Sequence, residues 1–201
     1  GCAWFDAKQR QIMYRPSPGV PANFAGLVAP DQSFFVDAAP AADGSAQRVE
    51  LWWLPHPNPQ APTLLYCHGT FRNLPQNLPK IDALRKAGFA VLAVDYRGWG
   101  RSTVITPSEQ SIMQDAELAW AELVRREPRA AQRVLYGHSM GSGVATDVAS
   151  RRKGGQDYGA LILESAFTSL PDVAREASFL GGLAPLLNNE RFDSLSKIPK
   201  V

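Results

Sequence analysis

VLYGHSMGSG, residues 134–143, is the stretch on which the reading of this chain turns. An apolar run over residues 133–136 leads into Gly137-His138-Ser139-Met140-Gly141, and a helix-like stretch over residues 140–152 follows. A serine in Gly-x-Ser-x-Gly between a strand and a helix sits on a sharp, strained turn that lifts its hydroxyl above the sheet. The glycines on either side let neighbouring backbone come close without a clash. The helix start also directs partial positive charge toward the hydroxyl. Ser139 is therefore read as a nucleophile rather than as a small polar residue in a turn.

Outward from this stretch, strand-like and helix-like segments alternate. Apolar runs at residues 63–67, 90–94, 133–136 and 160–163 are short and nearly continuous, the pattern of strands covered on both faces. Helical stretches are expected at residues 78–87, 108–126 and 140–152. The second is the clearest, with Ile112, Ala116, Ala119, Trp120 and Leu123 on one face, Ser108 as N-cap and Pro128 as stop. Before them, residues 33–36 and 48–54 read as two strands joined by a turn at Asp43-Gly44. The proline-rich PHPNPQAP that follows is a loop. This succession predicts an α/β fold built on a mostly parallel sheet with flanking helices, and function in such sheets gathers at the carboxyl ends of the strands. Residues 33–201 form the expected domain, and residues 1–32 an N-terminal segment.

Two further motifs follow strand-like runs. A serine that attacks a carbonyl creates an oxyanion, which needs waiting backbone donors. His68-Gly69-Thr70 supplies one from the Thr70 amide, and the Met140 amide supplies the other. DYRGWGRS, residues 95–102, reads as a tight backbone-held loop in which Asp95 and Arg97 are structural. It does not match a phosphate-binding glycine loop. No cofactor or metal is called for.

Composition narrows the partners. Hydrophobic residues make up 45% and charged residues 20%, with a net charge of +2, which gives no basis for nucleic-acid binding. No apolar run approaches the roughly 18 residues of a membrane span. Cys67 closes an apolar run and reads as a small buried hydrophobe. Cys2, in the opening GCAWF, carries two readings: a lipidation site that would anchor the chain on the extracytoplasmic side of a membrane, or part of a mobile terminus.

HGT, DYRGWGRS, GHSMGSG and LILESAFTSL resemble the successive strand-end motifs of the α/β-hydrolase fold. The branch they most resemble holds the serine aminopeptidase-like hydrolases, the monoacylglycerol lipases and the membrane-associated depalmitoylating hydrolases. The resemblance runs from about Phe34 onward. It implies Ser139 as nucleophile, Thr70 and Met140 as oxyanion donors, and a small-molecule or acylated substrate. KQRQIMYRP also resembles relatives with a membrane anchor just upstream.

One part of the pattern is unmet. The fold orders its triad as serine, acid, histidine, yet His56, His68 and His138 all precede Ser139. Glu164 could substitute as the acid, and Asp147, Asp172 and Asp193 are less well placed. The acid and histidine are accordingly expected beyond Val201, with this piece inactive by itself. A non-catalytic binding protein of the same fold is the alternative. Residues 170–192 read either as a small lid or as a helix packed on the sheet.

Overall fold

Extended segments satisfy their backbone by pairing with neighbouring strands, and among the described residues six strands of five to eight residues form one sheet. The computed structural model describes residues 1–164. The strands are β1 (Gln32–Ala38), β2 (Gln47–Leu54), β3 (Thr63–Cys67), β4 (Ala90–Asp95), β5 (Arg133–His138) and β6 (Ala160–Glu164). Their order across the sheet is β1-β2-β4-β3-β5-β6. The first three in that order pair antiparallel, and β4, β3, β5 and β6 are mutually parallel. The β1–β2 connection turns at Gly44, whose φ of 81° only glycine adopts cheaply, with Asp43 Oδ1 accepting from the Ser45 amide at 2.9 Å.

Helices cover both faces because the strand side chains alternate. Leu64, Tyr66, Val134 and Tyr136 share one face with Ile81 and Leu84 of α2 (Leu78–Lys86). Leu65, Cys67, Leu135 and Leu163 face the other way, against α3 (Glu109–Arg126) and α4 (Met140–Ser150). The stripe expected on α3 is there: Ile112, Ala116, Ala119 and Leu123 are fully buried. Each such aliphatic side chain larger than alanine contributes about 1.5–3 kcal/mol on burial. Ser108 caps the helix, accepting from the Ser111 amide at 3.0 Å. Cys67 is buried, and burial pushes its thiol up to about 12.

Residues 1–32 contain an element that hydrophobic periodicity did not reveal, the helix α1 (Cys2–Tyr14). Trp4, Phe5 and Ile12 are exposed on it while Tyr14 is buried, so its apolar residues do not fall on one core-facing stripe. The helix ends at Arg15, left-handed at φ 48°. Arg10 Nη1 holds it to the body by donating to the Pro107 carbonyl at 3.1 Å. The chain then runs beside the DYRGWGRS loop, where the Gly100 amide donates to the Ser17 carbonyl at 2.9 Å. Cys2 is exposed.

Arg97 shows why that loop is built as it is. Its amide and its Nε donate to the two carboxylate oxygens of Asp115 on α3, at 2.7 and 2.8 Å, and both side chains are almost fully buried. Burial pushes the Asp115 carboxyl up to about 6, against the opposing pull of Arg97. Asp115→Ala would leave a guanidinium buried without its counter-charge. A loss of about 3–5 kcal/mol is expected, measured by urea unfolding at pH 7.

Candidate active site

The carboxyl ends of β3, β4, β5 and β6 bring Cys67, Asp95, His138 and Glu164 to one edge, and the loops leaving that edge carry the residues singled out in the sequence. Ser139 stands between β5 and α4 with φ 58° and ψ −123°, a conformation that costs a non-glycine residue about 1–3 kcal/mol. What holds it there can be named. Its amide donates to the Glu164 carbonyl at 2.8 Å, and its carbonyl accepts from the Ser142 amide at 2.9 Å.

Glycine is required on both sides for lack of room. A Cβ on Gly137 would lie 2.1 Å from the Gly141 carbonyl oxygen, and one on Gly141 would lie 2.0 Å from that of Cys67. These contacts are with backbone, which cannot swing aside. Gly141→Ala should therefore cost about 3 kcal/mol or more, seen as a lowered urea midpoint, and a midpoint within 0.5 M of the parent (roughly 1 kcal/mol) would contradict it.

His68-Gly69-Thr70 lies across from the serine. A Cβ on Gly69 would sit 3.0 Å from Ser139 Cβ and 3.4 Å from its Oγ. Gly69 thus packs directly against the Ser139 side chain. The next residue, Phe71, is also left-handed at φ 54°, in a three-residue turn closed by the Arg72 amide on the Thr70 carbonyl at 2.8 Å. Nothing in the residue types around Phe71 signalled this second strained position. On the other side of Ser139, Met140 opens α4, so its amide has no partner within the helix.

His68 is fully buried and anchors this turn. Its Nδ1 meets the Gly69 carbonyl at 2.7 Å, and its Nε2 lies 2.9 Å from Asp95 Oδ1 without hydrogen-bond alignment. Tyr96 Oη donates to the His68 carbonyl at 2.9 Å. The Asp95 carboxylate also accepts from the Leu74 amide, at 3.1 and 3.2 Å. Gly100 leaves it space, since a Cβ there would come within 2.1 Å of Oδ2. Asp95 and His68 therefore tie the turn after β3 to the loop after β4.

None of the three histidines stands ready as a base. His56 follows β2, at the far end of the parallel strands, with Nδ1 accepting from the Asn58 amide at 3.0 Å. His138 adjoins Ser139 but belongs to a charged group that includes Lys80 and Glu164. Burial and then the Lys80 charge push its imidazole below its ordinary value, against the opposing pull of Glu164. Between the unfolded value of about 6.5 and this lower folded value, the unfolded chain binds more protons. His138 thus contributes stability that is present above pH 6.5 and lost as the pH falls through the folded value. Its NMR titration should fall below the usual imidazole range and rise in Lys80→Met.

Glu164 was weighed in the sequence only as a substitute acid, and the structure shows what surrounds it. Lys80 Nζ donates to its Oε1 and Tyr136 Oη to its Oε2. Burial pushes this carboxyl up, but the hydrogen bonds from Lys80 and Tyr136 outweigh it and hold the group below the usual carboxylate range. Asp147, on α4, pairs with Arg151 at 3.2 Å. Asp172, Asp193 and the lid-like segment 170–192 lie outside the described residues.

Residues 58–199 match the family model described as serine aminopeptidase, S33. An uncharacterized protein of Mycobacterium tuberculosis is 31% identical over 169 residues, covering 83% of this chain and 57% of that protein. Lysophosphatidylserine lipase ABHD12 of Bos taurus is 34% identical over 135 residues, 65% of this chain and 33% of the lipase. Among solved structures, an alpha-beta hydrolase from Vibrio vulnificus superposes with a TM-score of 0.59 at 20% identity, covering 92% of this chain and 69% of that one. The chain spans from about a third to somewhat over half the length of these two curated relatives.

Proposed function

The chain belongs to the serine aminopeptidase S33 family of α/β hydrolases, and from that premise we propose that it cleaves ester, thioester or amide bonds through an acyl-enzyme on Ser139. The observation that carries this reading is the strained backbone of Ser139, at φ 58°, facing the Gly69-Thr70 turn. Strain of this kind persists only where the surroundings enforce it. Here the enforcement comes from two close glycine approaches and two main-chain hydrogen bonds around this one residue.

In the proposed reaction Ser139 Oγ attacks the substrate carbonyl carbon and its proton passes to a base. The carbonyl π electrons move to oxygen, and the Thr70 and Met140 amides stabilise the oxyanion. Such donors are each worth about 10²–10³-fold in rate. The tetrahedral centre then collapses, the leaving group departs with the proton, and water releases the acyl group by the same route. The base and acid would come from residues beyond Val201, since His56 stands at the wrong end of the sheet and His68 and His138 are engaged elsewhere. The relative that is a lysophosphatidylserine lipase makes single-chain lipid esters the first substrates to try.

The natural protein containing these residues should react with a fluorophosphonate probe at Ser139, located by peptide mapping. Ser139→Ala should lose the label while keeping its fold by circular dichroism. Undiminished labelling in the alanine variant would exclude Ser139 as nucleophile. No labelling of the parent would favour a non-catalytic binding protein instead.

A further inference from the structure

Glu164 joins two things that a nucleophile site must keep in register. Through its backbone it touches the elbow: its carbonyl accepts from the Ser139 amide at 2.8 Å and from Ser142 Oγ at 3.2 Å. Through its carboxylate it reaches the segment that follows the Thr70 turn, by two separate routes. One is direct, from Lys80 on α2 to Oε1. The other passes through side chains of the sheet. Asn77 Nδ2 donates to the Asn73 carbonyl at 2.8 Å, and Tyr66 Oη donates to Asn77 Oδ1 at 2.7 Å. The Tyr66 ring stacks on that of Tyr136 with centroids 5.2 Å apart, and Tyr136 Oη donates to Glu164 Oε2.

We propose that Glu164 is a positioning residue: held by Lys80 and Tyr136, it fixes the Ser139 elbow at a set distance from the Thr70 turn. The inference rests on Ser139 being the nucleophile. Three features favour a positioning role over a surface ion pair. The carboxylate takes a charged and a neutral donor at once, and it is only about one-third exposed, as is Lys80. Exposed pairs are worth little because solvent competes for them, whereas a carboxylate with two fixed donors has little freedom left. Both donors come from elements other than its own, so α2, β5 and β6 cannot shift independently without breaking a contact. The main-chain bond to Ser139 then passes that restraint to the strained residue itself. Burial and the neighbouring carboxylate also hold the Tyr136 phenol in its protonated, donating form.

The test is the inactivation kinetics of the full-length protein by a fluorophosphonate, which separates the rate of bond formation, kinact, from probe affinity, KI. Glu164→Gln, Lys80→Met and Tyr136→Phe should each lower kinact by about three- to tenfold, the range of one ordinary hydrogen bond, with KI within about twofold. Lys80→Arg should restore most of the rate. Lys80→Met combined with Glu164→Gln should lose little more than the worse single change, because both act through one contact. Rates are normalised to folded protein measured by thermal unfolding. If the variants lose stability while folded molecules keep the parent kinact, the residues brace the fold only and the proposal is wrong. Additive losses in the double variant would also overturn it. Should Glu164→Gln fail to fold, Tyr136→Phe, which removes a single oxygen, decides the matter, and failure of all three to fold would likewise reject a positioning role. A parent that never labels at Ser139 would instead refute the nucleophile assignment, an outcome distinct from a labelled parent whose variants are unchanged.

Discussion

The close approach of α4 to the end of β3 is the constraint on which the other features of the site depend. With Gly141 at the first turn of α4, the helix can lie against the Cys67 carbonyl, a gap that would shrink to 2.0 Å for any Cβ. That approach sends the chain from β5 into the helix within one residue, and Ser139 takes a left-handed φ as the result. The strain is offset by the covered core on either side of the sheet. Leu65, Leu135, Val144 and Val148 are all buried in the cluster that α4 completes. Local distortion is therefore tolerated because the packing beneath it is large and regular.

Several charged groups toward this edge of the sheet are held by specific partners. Asp95 takes the Leu74 amide and faces His68, Arg97 takes Asp115, and Glu164 takes Lys80 and Tyr136. Parallel strands end together, so their terminal polar residues crowd into one layer, where an unpaired charge would be costly to bury. Ser139 itself is held at this edge by main-chain bonds, its amide on the Glu164 carbonyl and its carbonyl on the Ser142 amide.

The α/β alternation and the helix α3 were legible because their signals are local. Ser108 caps within three residues, and Ile112, Ala116, Ala119 and Leu123 repeat at helical spacing. The site was legible for a similar reason, since Gly137, Ser139 and Gly141 all act within five residues. The helix α1 was not. Trp4, Phe5 and Ile12 remain in solvent, so no stripe marks it, and its attachment runs through Arg10 to a carbonyl 97 residues away.

The network at Glu164 was missed for the same physical cause. Lys80, Tyr136 and Glu164 are separated by 28 to 84 residues along the chain and meet only because α2 and β5 pack beside β6. A lysine on a helix and a tyrosine in a strand carry no sign of a shared partner. The sequence by itself determined the succession of strands and helices from β1 onward, the elbow and the turn facing it, because glycine spacing and hydrophobic periodicity act over one or two turns of chain. Only the tertiary structure decided which charges pair, which histidines are occupied and how Ser139 is held, because those depend on distances that exist once the sheet has assembled.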